Sequence, residues 1–258
     1  YCKADKADVL LLQELKTTDD NFPKQSFEDI GWQVATHGQK TYNGVAILSN
    51  KLIKVTQVGL PDDASDEQAR YIEGWINIEN KGLRVASIYA PNGNPITSDK
   101  FTYKTTWLEK FFLHAKSLLE YEEKTILGGD FNICPSSIDA ADESIILNDA
   151  IYQKEPRNIY RKIINSGYFD CYRSFHQSSP GFTYWDYGQS FKNNVHAMIQ
   201  APTGTGKTLG YMLPSALFPA LVLEHQQPSC QTQPVWQSKN NAWPSYNGAL
   251  SNKLMQSA

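Results

Sequence analysis

Short apolar runs and amphipathic segments alternate along the first 191 residues, which predicts a mixed α/β fold. Residues 8–12 and 44–49 are continuous apolar runs, typical of strands covered on both faces. Residues 71–79 alternate between polar and apolar positions, and the strand-like segment 83–89 follows across a hairpin turn predicted at residues 80–82. Together these patterns predict a sheet that contains both buried and hairpin-connected strands.

The central part of the chain predicts helices packed against that sheet. Residues 99–121 form an amphipathic helix pattern, with apolar positions at Trp107, Leu108, Phe111, Phe112, Ala115, Leu118 and Leu119. The apolar segment 125–131 predicts a strand, and residues 157–165 predict a helix that is stopped by Gly167. The segments 168–175 and 181–187 are interpreted as further strands.

Polar residues with catalytic potential follow several of these strands. Glu14 and Asp130 end two buried strands, Tyr89 ends a third, and Asn92 and Asn132 lie two or three residues further on. A single acid at a strand end is more often a solvated cap. In open α/β sheets, however, sites are built at the carboxyl ends of strands, so the cluster favours a functional site.

These residue types suit phosphodiester hydrolysis. Carboxylates hold Mg²⁺, which neutralises charge on the phosphoryl oxygens, and a carboxylate can also activate the attacking water. Neutral donors such as Asn and Tyr stabilise the charge that develops. Spacing alone does not join these residues into one site.

Composition narrows the class of protein and its compartment. The 258 residues carry 24 Lys and Arg against 27 Asp and Glu, with 41% hydrophobic residues, which excludes a collagen-like, wholly disordered or disulfide-stapled chain. Four cysteines form no CxxC pair, and no apolar run approaches the ~18–20 residues that span a bilayer. We therefore expect a cytoplasmic protein with no membrane partner. Because the chain opens on Tyr1 without a signal peptide, we also expect that an N-terminal segment is missing.

Charge is unevenly distributed, and this predicts two segments. Residues 192–258 hold five charged side chains and a net charge of +3, whereas residues 1–191 carry −6. The segment after residue 223 is rich in Gln, Ser, Asn and Pro, which is typical of a poorly ordered tail. We divide the chain into residues 1–194 and 195–258 and interpret it as a chimera joined near residue 194.

Six sequence blocks, covering roughly residues 5–194, resemble the exonuclease III family of apurinic/apyrimidinic endonucleases and 3′-exonucleases. They occur in the order seen in that family: LLLQELK (10–16), NGVAIL (43–48), ARYIE (69–73), YAPNG (89–93), GGDFNICP (128–135) and FTYWDY (182–187). The resemblance implies an α/β fold, a four-layer α/β sandwich of the exonuclease III type. We expect it to be incomplete at both ends and to carry a P-loop-like C-terminal appendage.

The same resemblance implies a catalytic role for four residues. Glu14 would be the principal Mg²⁺ ligand, with Mn²⁺ as a possible substitute. Asp130 would position or activate the attacking water, and Asn132 would stabilise the pentavalent phosphorus. Tyr89 would donate a hydrogen bond to a phosphate oxygen.

The resemblance also implies the substrate, which is double-stranded DNA with abasic sites or 3′ ends, bound by a monomer. Asn92 would contact a backbone phosphate. Tyr184 and Trp185 would help to form an apolar pocket for a flipped-out abasic sugar, which is easily extruded because it has no pairing or stacking to lose. A rival is another phosphodiesterase or phosphatase of the same superfamily. A different class of alternative is a non-catalytic, DNA- or nucleotide-binding chimeric remnant.

The sequence departs from the family pattern in ways that predict weak activity. It lacks the first family strand with its active-site Asn, residues 192–199 contain no acid, and no Ser-Asp-His segment occurs. Loss of an acid–base imidazole typically costs ~10²–10⁴ in rate. We expect impaired turnover, and we expect strand edges left unpaired by the missing strands.

Residues 201–208 fit the pattern of a P-loop, in which Gly204 and Gly206 shape a phosphate cradle, Lys207 reaches the phosphates and Thr208 binds Mg²⁺. The string from 200 to 214 resembles motif I of superfamily 2 helicases of the damage-inducible type. That resemblance covers about 25 residues, and neither an acidic DEAH-type motif nor an arginine follows it. We expect no ATP hydrolysis.

Overall fold

The computed structural model describes residues 7–61, 63, 65–78, 81–184 and the backbone of 221–223. All of them lie in the first of two units into which the chain divides, Tyr1–His225. The strands of the described residues are β1 (Val9–Gln13), β2 (Gln33–His37), β3 (Val45–Ser49), β4 (Ile53–Val58), β5 (Tyr71–Ile78), β6 (Lys81–Tyr89), β7 (Thr125–Asp130), β8 (Phe169–Asp170) and β9 (Leu221–Leu223). The α-helices are α1 (Lys24–Glu28), α2 (Asp99–Leu118), α3 (Lys154–Asn165) and α4 (Cys171–Phe175).

The strands form two sheets. The smaller sheet has the order β1-β3-β2 and is antiparallel throughout. The larger sheet has the order β4-β5-β6-β7-β9-β8, in which β6 and β7 form a parallel pair. A parallel pair needs a crossover connection, and α2 provides it.

Three apolar clusters divide the fold into four layers. Side chains of both sheets, among them Ile47 and Ile72, pack face to face between the sheets. The outer face of the larger sheet is covered by α2 and α3, through residues such as Phe111 and Ile163. The outer face of the smaller sheet is covered by the segment around α1, including Trp32. The predicted four-layer α/β sandwich is confirmed.

Several local predictions are corrected by the structure. The predicted antiparallel pairing of residues 71–79 with 83–89 is confirmed by β5 and β6, but Lys81 and Gly82, which were expected in the turn, lie in β6, since Lys81 pairs with Ile78. Asn80 lies outside the described residues. The strand predicted at 168–175 is limited to β8, since the Asp170 side chain accepts a hydrogen bond from the Arg173 N–H and starts α4 there. The strands β2 and β4 were not predicted. The last predicted strand, 181–187, is described only as far as residue 184. In this part, Tyr184 forms an isolated β-bridge with Ala140.

The expectation of unpaired sheet edges is wrong for β7. Its first three residues pair in antiparallel register with β9, which in turn pairs with β8. Trp185 and the P-loop residues Gly204, Gly206, Lys207 and Thr208 lie outside the described residues. Of the helices that the structure describes, none is both long and apolar enough to cross a membrane.

Candidate active site

The candidate site begins where the parallel strands β6 and β7 end. Tyr89 is the last residue of β6 and Asp130 the last of β7, and the two are partners in the strand register. The backbone N–H of Ala90 donates to the Asp130 carbonyl at 2.8 Å, which extends the pairing by one residue. The register therefore fixes Tyr89 beside Asp130, as the sequence predicted.

Two glycines before Asp130 allow the backbones to come this close. Gly129 has a φ of +143°, and a Cβ at this position would lie 2.1 Å from the carbonyl oxygen of Ile88. A Cβ at Gly128 would lie 2.7 Å from the Leu11 side chain of the opposite sheet. Backbone contact and a positive φ thus require glycine at position 129, whereas at Gly128 the close neighbour is the end of a flexible leucine side chain.

Glu14 reaches the same place from the other sheet. It follows the last residue of β1 with a φ of 54°, in the left-handed region, and the Tyr89 hydroxyl donates to Glu14 Oε1 at 3.2 Å. The buried Ser87 hydroxyl joins the sheets beneath this contact, because it donates to the Leu12 carbonyl and accepts from the Gln13 side chain, both at 2.9 Å. The predicted neighbours Glu14, Tyr89 and Asp130 are therefore brought together.

Burial of Asp130 raises the pKa of its carboxyl group. Burial and the nearby negative charge of Glu14 raise the pKa of Asp130 to about 6, although the Asn132 N–H donates to its Oδ1 at 2.9 Å. Burial also raises the pKa of the Tyr89 phenol, and the charge of Glu14 adds to this effect. At neutral pH, Asp130 is mostly ionised and able to accept a proton, whereas Tyr89 remains a hydrogen-bond donor.

Asn132 is held across the two strand ends. Its φ of 49° is in the left-handed region, and its side-chain amide donates to the Ala90 carbonyl at 2.7 Å. Asn is one of the few residues that adopt this backbone conformation readily. The amide, which belongs to the loop after β7, therefore reaches the backbone that follows Tyr89.

Two of the remaining predicted residues, Asn92 and Tyr184, are among the residues that the structure describes. Asn92 is exposed in the loop after β6, and its Oδ1 accepts from the Asn94 N–H at 3.1 Å. Tyr184 packs on a small apolar cluster of the loop after β7 that includes Cys134 and Ala140.

Three basic residues that the sequence analysis did not single out border the site, and one of them, Lys16, pairs with Glu14 Oε2 at 2.6 Å. Arg70 is 9% exposed, and its guanidinium lies 5.1 Å from the centre of the Tyr89 ring and donates to the Tyr89 carbonyl. Lys104 of α2 donates to the carbonyls of Asn92 and Asn132. Arg70 belongs to the ARYIE block, and Lys104 is a polar residue on the apolar stripe of α2, so each had a sequence signal.

The donor set fits a magnesium ion. Within the part of the chain that the structure describes, no three His, Cys, Asp or Glu side chains gather as a metal-binding group. Mg²⁺, however, is commonly held by one or two carboxylates together with waters and substrate phosphates. Glu14 and Asp130 provide two carboxylates, and because burial and then the charge of Glu14 raise the pKa of Asp130, a cation bound beside them would favour its charged form.

Comparison with known proteins bears on the family of the chain. The model of the Endonuclease/Exonuclease/phosphatase family matches residues 1–199. The chain is 32% identical over 200 residues to an exodeoxyribonuclease III of Haemophilus influenzae, covering 72% of this chain and 73% of that protein. A separate segment of 29 residues is 59% identical to the 3′-5′ exonuclease DinG of Bacillus subtilis, but it covers only 3% of that protein.

Solved structures show the same fold. An AP endonuclease from Archaeoglobus fulgidus superposes with a TM-score of 0.67 at 27% identity, covering 86% of this chain and 78% of that one. The 3′ phosphatase NExo from Neisseria, bound to a product DNA hairpin, superposes with a TM-score of 0.68 at 28% identity, covering 85% and 78%. The resemblance drawn from the six sequence blocks is thereby confirmed.

Proposed function

The chain belongs to the endonuclease/exonuclease/phosphatase family, as a nuclease-like enzyme of the exonuclease III type, and on that premise we propose that it hydrolyses phosphodiester bonds in DNA with Mg²⁺. Mn²⁺ can take the same place. The observation that carries the proposal is the convergence of Glu14, Tyr89 and Asp130 from three strands of two sheets. Carboxylates at parallel strand ends are suited to hold a cation against a phosphate.

Each residue has a role that its surroundings support. Glu14 is the metal ligand, and the bound ion would neutralise charge on the scissile phosphate. Asp130 accepts the proton of the attacking water, because its carboxylate lies at the end of β7, beside Tyr89 and near Glu14. The Tyr89 hydroxyl donates to a phosphate oxygen, and Asn132 stabilises the charge that develops on phosphorus.

The proposed substrate is duplex DNA with an abasic site or a 3′ end, bound by a monomer in the cytoplasm. Similar proteins are named as exodeoxyribonuclease III and AP endonuclease, and one similar structure holds a DNA hairpin. The exposed Asn92 contacts a backbone phosphate in this proposal. Tyr184 and Trp185 contribute apolar surface for an extruded sugar, which costs little energy to flip when the base is absent.

We further propose that the 258-residue chain turns over slowly. Among the described residues, no histidine hydrogen-bonds to the Glu14, Tyr89 or Asp130 side chains; His114, for example, contacts Glu73 and Tyr71. The sequence also contains no Ser-Asp-His segment. A missing acid–base group typically lowers a rate by ~10²–10⁴.

The test is nicking of a labelled abasic duplex with excess protein, with Mg²⁺, with Mn²⁺ and with EDTA. Metal-dependent nicking is expected, and Glu14→Gln should lower its rate at least ~10²-fold. Glu28→Gln is the matched control, because Glu28 is an exposed glutamate of α1. Equal rates for Glu14→Gln and the control contradict the role of Glu14. DNA binding without any nicking would favour the non-catalytic alternative, and a rate equal to that of the Haemophilus relative would contradict slow turnover.

A further inference from the structure

Lys104 is a fully buried lysine beneath the candidate site. It occupies the apolar stripe of α2 at helical spacing from Trp107, Leu108 and Phe111, with 0% of its surface exposed. An ammonium in such a position is costly unless acceptors surround it. Packing alone would favour an apolar residue here.

The acceptors of Lys104 are two backbone carbonyls. Its Nζ donates to the Asn132 oxygen at 2.6 Å and to the Asn92 oxygen at 2.9 Å. None of the ion pairs among the described residues includes it, and Asp130 and Asp149 attract it only from a longer range. Lys104 is therefore not half of a structural salt bridge.

Those two carbonyls belong to the two loops that build the site. Asn92 lies in the loop after β6, which follows Tyr89, and Asn132 lies in the loop after β7, which follows Asp130. The first loop rests directly on the lysine stem, because a Cβ at Gly93 would lie 2.5 Å from Lys104 Cδ. One ammonium thus joins both loops to the rigid helix α2.

Fixing the Asn132 carbonyl also fixes the groups proposed to react. The N–H of Asn132 orients the Asp130 carboxylate, and its side-chain amide spans to Ala90. A movement of this backbone would displace both Asp130, the proposed base, and the Asn132 amide, which is proposed to stabilise the transition state. Displacements of about 1 Å in a site can cost ~10²-fold in rate.

We propose that Lys104 is a positioning residue for hydrolysis, which holds the loops after β6 and β7 at the separation that the reaction needs. The inference rests on the proposed function, and it adds a residue that contacts neither metal nor phosphate. Burial lowers the pKa of Lys104 to about 8, so that the ammonium still predominates at neutral pH.

The test compares Lys104→Met with Lys110→Met. Both are lysines of α2, but Lys110 is partly exposed and pairs with Asp63 at 2.6 Å, away from the two loops. For Lys104→Met, the single-turnover nicking rate should fall about tenfold to a hundredfold, whereas affinity for the uncleaved duplex in EDTA stays close to that of the parent chain. The rate of Lys110→Met should be unchanged.

A second readout separates positioning from mere stability. Amide hydrogen exchange should rise in segments 90–94 and 131–134 of Lys104→Met and stay unchanged in β5. In Lys104→Ala, added n-propylammonium should restore part of the rate, whereas 1-propanol should not. Together these results would assign the effect to the ammonium.

Three outcomes overturn the inference: an unchanged nicking rate in Lys104→Met, a loss no larger than the loss of folded protein, or unchanged exchange in both loops. If the parent chain does not nick DNA at all, the proposed function fails, and the exchange measurement still decides whether Lys104 positions the loops. If Lys104→Met does not fold, rescue of Lys104→Ala by the amine but not by the alcohol decides the question.

Discussion

Two carboxylates on the same sheet have opposite surroundings. Glu73 of β5 is 2% exposed, and its pKa is lowered to about 2, because hydrogen bonds to its charged form outweigh the effect of burial. Asp130 of β7 has its pKa raised to about 6, because burial and the charge of Glu14 outweigh the single backbone hydrogen bond from Asn132. The partners of Glu73 are the side chains of Thr56, Tyr71, Arg84 and His114.

The difference separates a structural carboxylate from a reactive one. Glu73 is saturated with partners, and Arg84 links it onward to Glu123, so the network joins β4, β5, β6 and α2 near the start of β7. Asp130, at the end of β7, keeps unused acceptor capacity beside a second carboxylate. A carboxylate whose acceptor sites are all hydrogen-bonded helps to fix the packing. A carboxylate with free acceptor sites and a raised pKa can take a proton or bind a cation.

The largest expected effect is on activity, in Asp130→Asn. Asn keeps the shape but cannot accept the proton of water, so the nicking rate should fall ~10²–10⁴-fold. The midpoint of thermal unfolding should stay the same or rise, because a carboxylate that disfavours its charged form is removed. Nicking and circular dichroism on the same sample check both parts, and a large loss of stability would place Asp130 with Glu73 as a structural group.

The second effect is on stability, in Glu73→Ala. Removing one partner of a buried ion pair takes the Glu73 acceptor away from Arg84 Nη1 and from the Tyr71 hydroxyl, which should cost ~3–5 kcal/mol in the free energy of unfolding. Urea denaturation measures this, and the nicking rate per folded molecule should stay that of the parent chain. Glu123→Ala is the control at the more exposed end of the network, where the carboxylate side chain is 35% exposed, and its cost should be smaller. If Glu73→Ala and Glu123→Ala cost the same free energy of unfolding, the number of hydrogen-bond partners of Glu73 would not explain its contribution.

The third effect is a difference in pH dependence. Because the folded pKa of Glu73 lies below its ordinary value of 4.5, Glu73 stabilises the fold above that value and loses this contribution as pH falls to about 2. A shift of this size corresponds to about 3 kcal/mol. Asp130 has the opposite sign, since its folded pKa is above the ordinary 3.8, so its contribution becomes less favourable as pH rises from about 4 to about 6.

Glu73→Gln and Asp130→Asn separate these two contributions. Relative to the parent chain, Glu73→Gln should flatten the fall in stability below pH 4.5, whereas Asp130→Asn should raise stability mainly above pH 4. Urea midpoints measured at several pH values between 2 and 7 give both curves. If the urea midpoints of the two variants changed with pH in the same way, the two carboxylates would not differ in the sign of their pKa shifts.

The sequence predicted the residues of the candidate site better than those of the Glu73 network and the strands around it. Glu14, Tyr89 and Asp130 each end a strand with a clear apolar pattern, so position along the chain already indicated a shared edge. The strand β2 was missed because its sequence QVATH has no clean alternation, and it forms by pairing with the buried β3. Pairing of this kind depends on tertiary context, which overrides local propensity.

The Glu73 network could not be predicted, because it depends on side chains from four elements that are distant in sequence. Glu73 itself belongs to an alternating strand pattern that places it on the same face as Tyr71 and Trp75. In the structure it faces α2, where His114 contacts it. Lys104 is similar, since only its place on the apolar stripe of a helix hinted at burial. Polar residues at core positions of a periodic pattern are thus the signal to search for.

The smallest expected effect is that of Lys162→Ala. This variant tests whether an ion pair needs burial to contribute strongly to the free energy of unfolding. Lys162 of α3 pairs with Glu109 of α2 at 2.8 Å, which lies between the 2.5 Å and 2.9 Å contacts of the buried Glu73, but the two side chains are 50% and 46% exposed. Solvent-exposed pairs typically contribute ~0.2–1 kcal/mol, so the loss of stability in urea should fall in that range and shrink in high salt. The nicking rate should not change. A loss as large as that of Glu73→Ala would mean that contact distance, rather than exclusion of water, determines the contribution of an ion pair in this fold.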